Sequence, residues 1–128
     1  MRQFIKHYPI SIAIAITIIY LSCFKPPTTS LEKIPDIDKI VHCSMYCFFS
    51  LLLWFEYLRT HHFSKKEISW HRLIIGLILP IILGCSMELV QKYLTSYRGF
   101  EWGDILANVC GAIIASLTAE IYIKYRLK

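Results

Sequence analysis

Charged side chains make up only 18% of this sequence, against 55% hydrophobic ones. That shortage excludes an ordinary soluble domain, in which about a quarter of the residues carry charge. A C-x-x-C pair is also absent, and Cys23, Cys43, Cys47, Cys85 and Cys110 all fall inside apolar stretches. An odd number of cysteines without paired spacing indicates neither a disulfide framework nor a zinc site. They read as small packing residues. No basic run interleaved with aromatic residues is long enough for a nucleic-acid face, despite a formal charge of +5. The stretches "IAIAITII", "FFSLLLW" and "IIGLILP" contain no charged residue, which argues against an ion or proton path across a membrane.

What the sequence has is apolar length. Residues 8–24, 40–58, 73–94 and 105–123 form four blocks of about 17–22 residues, enough to cross a hydrocarbon core of about 30 Å. The expected fold is therefore all-α: one integral-membrane domain over 1–128, a four-helix transmembrane bundle. A cleaved secretory signal is the alternative for the first block. Against it, Tyr20 stands where a lipoprotein-type processing site at Cys23 would want a Leu-like residue.

Orientation follows from lysine and arginine. Arg2, Lys6, Arg59, Lys65, Lys66, Arg72, Lys124, Arg126 and Lys128 fall on one side; Lys25, Lys33, Lys39, Lys92 and Arg98 fall on the other. The richer side is expected to be cytoplasmic. Both termini and the 59–72 loop then face in, while the 25–38 and 95–103 loops face out. Membrane lipid, anionic on the inner leaflet, is the expected partner of the positive charge.

Polar residues interrupt the blocks in a pattern. At 100° per residue, Asp38, His42 and Tyr46 lie within about 80° on one helix face. A carboxylate one turn before a histidine can accept from its ring N–H and raise its basicity. A plain helix start, with Asp38 as a cap, explains that pair equally well. Gly84, Glu88, Gln91 and Thr95 line a face of the third block, above Pro80, where a kink is expected. Asp104, Asn108, Gly111 and Ala115 line a face of the fourth, the two small residues allowing close helix approach. Arg98, in the preceding turn, can fold back onto a carboxylate or take an anion. Threading alone brings Asp38, His42, Tyr46, Glu88, Gln91, Arg98, Asp104 and Asn108 to one level near the outer face. Glu56 and Glu120 stand near the opposite helix ends, where water or Arg59 and Lys124 are their expected partners.

These residues resemble the VanZ-like family of small bacterial membrane proteins. The likeness rests on D-K-x-x-H at 38–42 with Tyr46 after it, on E-x-x-Q at 88–91, and on R-x5-D-x3-N-x2-G from Arg98 to Gly111. Cys43 and Ala115 depart from the family's usual Phe and second Gly. The resemblance implies a multi-pass protein of the bacterial inner (cytoplasmic) membrane, from a family whose namesake is associated with resistance to the glycopeptide antibiotic teicoplanin. It implies no settled reaction.

Two functions compete at this point. In one, the cluster binds or processes a lipid-linked or other envelope molecule, or a glycopeptide antibiotic. His42 would be the base, Asp38 its orienting partner and Glu88 or Asp104 a second carboxyl group, with Tyr46, Gln91, Arg98 and Asn108 contacting the ligand. In the other, the protein is a non-catalytic scaffold or drug-excluding protein and the cluster is an interhelical lock. Whether any reaction occurs is left open by the sequence. Lys39, Lys92 and Arg98 face Asp38, Glu88, Glu101 and Asp104, a poor balance for clamping a phosphate without a cation. A divalent ion on Asp38, His42, Glu88 and Asp104 would repair it, but no spacing supports one. No metal and no cofactor is therefore expected.

Overall fold

A computed structural model describes residues 1–24, 30–60, 70–97 and 99–126, and those residues are mostly helical with no strand among them. A short helix α1 (Arg2–His7) precedes α2 (Pro9–Cys23); a 3₁₀ turn at Ser30–Lys33 leads into α3 (Ile37–Thr60). Then come α4 (Trp70–Leu94) and α5 (Trp102–Arg126). Helices α3, α4 and α5 are long and apolar enough to cross a membrane.

The first apolar block behaves differently. Proline disfavours helical backbone in the residue before it, and Tyr8 accordingly sits at φ −125°, ψ 46°, separating α1 from α2. The 15 residues left in α2 span about 22 Å at 1.5 Å per residue, short of the hydrocarbon thickness. The expected four crossings are thus three helices of full length and one shorter apolar helix packed against α3 and α4.

Contacts at the two ends fix the threading. Ile10 and Ser11, at the start of α2, meet Glu56 near the end of α3, and Arg72 at the start of α4 meets Glu120 near the end of α5. At the opposite end the Tyr97 hydroxyl donates to the Cys23 carbonyl at 2.6 Å, and Lys39 pairs with Glu101 at 3.4 Å. Successive helices therefore run antiparallel.

The packing is inside-out relative to a soluble domain. Phe48, Phe55, Ile82, Leu106, Ile113 and Leu117 are exposed, while Ser50, Glu56, Glu88, Gln91, Asn108 and Ser116 are buried. An apolar exterior of this kind suits lipid contact. The broadest interface joins α3 and α5. Gly111 makes it possible: a Cβ there would collide with the Cys43 carbonyl on the facing backbone. Buried Ala112, Ala115 and Ala119 extend the same close seam.

Pro80 shapes α4. It has no N–H, so the carbonyl four residues earlier, that of Gly76, loses its α-helical donor. Gly76 lies in a π-helical stretch, Ile74–Ile78, just ahead of the proline. The freed carbonyl takes a short hydrogen bond from the Ser50 hydroxyl of α3 and a longer one, 3.4 Å, from Ser116 of α5. Ser116 in turn accepts from the Trp54 indole N–H at 3.1 Å. Gly76 has no room for a Cβ, because the Trp54 indole fills that space. A helix irregularity is thus satisfied by its neighbours, as apolar surroundings require.

At the Glu56 end the expectation needs correction. Glu56 is 2% exposed, and its two oxygens accept the backbone N–H groups of Ile10 at 2.9 Å and Ser11 at 3.0 Å. The helix break at Tyr8 creates those orphan donors, and a carboxylate at a helix N-terminus suits them in charge and geometry. Glu120 pairs with Arg72 instead of Lys124, through Nε at 3.0 Å and Nη2 at 3.1 Å.

Candidate functional site

The other end gathers most of the residues singled out above. On α3 the i, i+4 stripe holds, with His42 and Tyr46 buried and Asp38 half-buried at the rim. On α4, Glu88 and Gln91 lie one turn apart and are 0% and 1% exposed. On α5, Asp104 and Asn108 are buried one turn apart. Gly84 admits Asn108 to this layer, since a Cβ on Gly84 would run into the Asn108 side chain. Arg98 lies outside the described residues.

His42 is held from α5, not from its own helix. Its Nδ1 bonds Asn108 Oδ1 at 3.0 Å, and its Nε2 faces Asp104 Oδ2 at 3.7 Å. With Asn108 Oδ1 as acceptor, Nδ1 carries the proton and Nε2 presents a lone pair. The expected orienting role of Asp38 is not what the structure displays. Asp38 lies near Lys39 at 3.7 Å, and among the described residues no hydrogen bond joins it to His42. The reason is position: Asp38 stands in the first turn of α3, where water and Lys39 compete for it, while His42 is a full turn deeper.

Lys39 organises that rim. Its ammonium lies 3.4 Å from Asp36, 3.7 Å from Asp38 and 3.4 Å from Glu101. Below it, Glu88 Oε2 accepts the Glu101 backbone N–H at 3.3 Å, tying α4 to the residue before α5. One ligand-type atom from each of His42, Glu88 and Asp104 lies within 4.8 Å of the others. So do those of Asp38, Glu101 and Asp104, nearer the surface. Folding therefore assembles a trio of possible metal ligands for which the sequence spacing gave no sign.

Several buried polar atoms here find no hydrogen-bond partner among the described residues: the Tyr46 hydroxyl, Gln91 Nε2, Asp104 Oδ1 and Asn108 Nδ2. Unmet polar groups in an apolar setting are costly unless something else satisfies them. Chemically, the layer offers an imidazole lone pair, two buried carboxyl groups and neutral donors to an incoming polar molecule.

Sequence reasoning missed Ser50, Trp54, Gly76 and Ser116 entirely. The signal was Pro80: the Gly76 carbonyl it leaves unpaired needed a donor, and Ser50 and Ser116 were hydroxyls available at that depth. Glu101 was counted as charge but not as the backbone donor that anchors Glu88.

No family model matches the chain, and no solved structure matches it. A protein of Schizosaccharomyces pombe, described as "Uncharacterized protein C11E3.10", is 32% identical over 117 residues, covering 91% of this chain and 67% of that protein. The aligned region takes in nearly all of the chain, helices and polar layer together. On that similarity, the chain belongs to the same family as fission-yeast C11E3.10.

Proposed function

We propose that this is a VanZ-like membrane protein whose polar layer, formed by α3, α4 and α5, binds or processes a lipid-linked or envelope molecule at the outer leaflet. The observation that carries this reading is the convergence of His42, Glu88 and Asp104 from three helices, with unsatisfied donors beside them. Interhelical hydrogen bonds in membranes average about 0.6 kcal/mol, so burying two carboxyl groups for adhesion alone is poor design. A ligand gives them a purpose. In the same reading the fold is a four-helix transmembrane bundle with α2 as its fourth member. Both termini are cytoplasmic, in a bacterial inner membrane, and the polar layer lies in the extracytoplasmic half. The link to teicoplanin resistance belongs to this proposal as well. A fungal relative favours the part that bacterial and fungal membranes share, a lipid-linked molecule, over a role confined to glycopeptide antibiotics.

A second reading has its own support. The His42–Asn108 bond and the fit of Gly84 against Asn108 tie three helices together, as an interhelical lock in a scaffold or drug-excluding protein would. Complementation of a deletion strain separates the two, with teicoplanin susceptibility and envelope integrity as readouts. The site reading expects His42→Ala and Asp104→Asn proteins at normal membrane abundance with the phenotype lost. Abundance falling in step with phenotype favours the lock. A periplasm-active reporter fused after Leu58 or Lys128 is expected to be silent, and activity there would reverse the topology.

A further inference from the structure

We propose that His42, Glu88 and Asp104 bind one divalent transition-metal ion, a proposal that rests on reading the polar layer as a site. Three observations converge on it. The donors are an imidazole nitrogen and two carboxylate oxygens, brought from three helices to within 4.8 Å of one another and all buried. His42 Nε2 and Asp104 Oδ2 stand 3.7 Å apart, too far for a hydrogen bond. Two ligands about 2.0–2.2 Å from a shared ion, at an angle of about 110–120°, stand about 3.3–3.8 Å from each other. The observed gap is that of two donors facing one ion.

The second observation is the support behind the histidine. A metal-bound imidazole nearly always donates its other N–H to an acceptor that fixes the tautomer. Asn108 Oδ1 plays that part at 3.0 Å from Nδ1, and the missing side chain of Gly84 gives Asn108 its place. The lone pair of Nε2 is thereby turned toward Asp104.

The third is Asp104 itself. Its side chain is 6% exposed, and its Oδ1 has no hydrogen-bond partner among the described residues. An ion at this point supplies what the buried carboxylate lacks. Imidazole with carboxylate suits zinc, manganese or iron(II), whereas calcium and magnesium prefer all-oxygen shells. Three protein ligands leave a coordination position open for a water or an anionic oxygen. Gln91, one turn from Glu88, and Tyr46, one turn from His42, are buried with polar atoms that have no hydrogen-bond partner among the described residues. The ion also changes what the pocket can hold: two positive charges offset two carboxylates, so a phosphate-bearing headgroup can enter.

The test uses the whole chain purified in lipid nanodiscs, stripped with chelator, then loaded with Zn²⁺ or Co²⁺. Elemental analysis is expected to find about one ion per chain. The Co²⁺ protein is expected to show d–d absorption without a thiolate charge-transfer band, since the five cysteines are not the ligands. His42→Ala and Asp104→Asn are expected to lose the ion. Asn108→Ala, which removes only the support, is expected to weaken binding about 10–100-fold. His42→Cys guards against misfolding: it is expected to regain the ion and to add a thiolate band to the Co²⁺ spectrum. A wild-type chain that retains no more ion than Asp104→Asn overturns the proposal, as does a thiolate band in the wild type. If wild type is metal-free yet His42→Ala loses its cellular phenotype at normal abundance, the ion is overturned and the site stands. If the ion binds as described while neither variant alters the phenotype, the ion stands and the site reading falls.

Discussion

At one end of the long helices, Glu56 takes two backbone N–H groups and Arg72 takes Glu120; at the other, His42, Glu88 and Asp104 crowd together with donors left over. Both clusters are buried and both join helices distant in sequence. Each end leaves polar atoms without a hydrogen-bond partner among the described residues: the Tyr8 hydroxyl, Ser11 Oγ, Arg72 Nε and Glu120 Oε1 at the first, and the Tyr46 hydroxyl, Gln91 Nε2, Asp104 Oδ1 and Asn108 Nδ2 at the second. The difference lies in how one buried carboxylate at each end is met. Both Glu56 oxygens accept backbone N–H groups at the start of α2, and Arg72 donates one hydrogen bond to Glu120 from Nη2 while its Nε stands 3.0 Å away as an ion pair only. Asp104 Oδ1, unlike either oxygen of Glu56, meets no hydrogen-bond donor among the described residues. The contrast between Glu56 and Asp104 separates a carboxylate that holds the fold from one with an acceptor to spare. Counting charges does not separate them; following each donor and acceptor to its partner does.

Breaking the Glu56 contacts is expected to cost the most. Glu56→Ala removes both acceptors from the start of α2 and is expected to destabilise the fold by about 2–4 kcal/mol, as hydrogen bonds to a buried charge are among the strongest. Reversible unfolding in mixed micelles would measure it, and a change within about 0.5 kcal/mol would mean that α2 is held by packing alone. Next comes Arg72→Met. Glu120 is partly exposed and can find water, so the expected loss is smaller, about 1–2 kcal/mol. A larger loss would show that the Glu120 carboxylate is trapped.

The Gly76 relay between the two ends sharpens the comparison, because its donor and its defect can be removed separately. Ser50→Ala is expected to cost about 1 kcal/mol by depriving the Gly76 carbonyl of its shorter hydrogen bond. In a Pro80→Ala background, where the helix can supply its own donor, the same change is expected to cost clearly less. A double-mutant cycle with no coupling between positions 50 and 80 would separate Ser50 from the proline.

The three long helices were legible because apolar length is a direct demand of the bilayer. Residues 40–58, 73–94 and 105–123 became Ile37–Thr60, Trp70–Leu94 and Trp102–Arg126, extended by polar first and last turns that hydropathy leaves out. The first block was harder. Its apolar run is long enough, but Pro9 resets the backbone at Tyr8 and leaves α2 short. At the polar layer, helical arithmetic correctly grouped Asp38, His42 and Tyr46, Glu88 with Gln91, and Asp104 with Asn108 by face. It could not say which carboxylate meets His42. The i, i+4 neighbour Asp38 is visible in the sequence, whereas Asp104 reaches the ring only through the rotation of α5 against α3. Glu56 was misplaced for a similar reason. Its sequence position near a helix end suggested water, and only packing reveals that the start of α2 occupies that spot.

A paired unfolding measurement on chelator-treated protein, Glu56→Gln beside Asp104→Asn, tests the difference between the two carboxylates most directly. Glu56→Gln swaps one carboxylate oxygen for an amide that cannot accept from the α2 backbone, and a loss of about 1.5–3 kcal/mol is expected. Asp104→Asn removes a buried charge that no described donor satisfies at Oδ1, and stability is expected within about 1 kcal/mol of wild type or above it. Equal, large losses from both would contradict the account, placing Asp104 among the residues that hold the helices together and leaving no open site at that end.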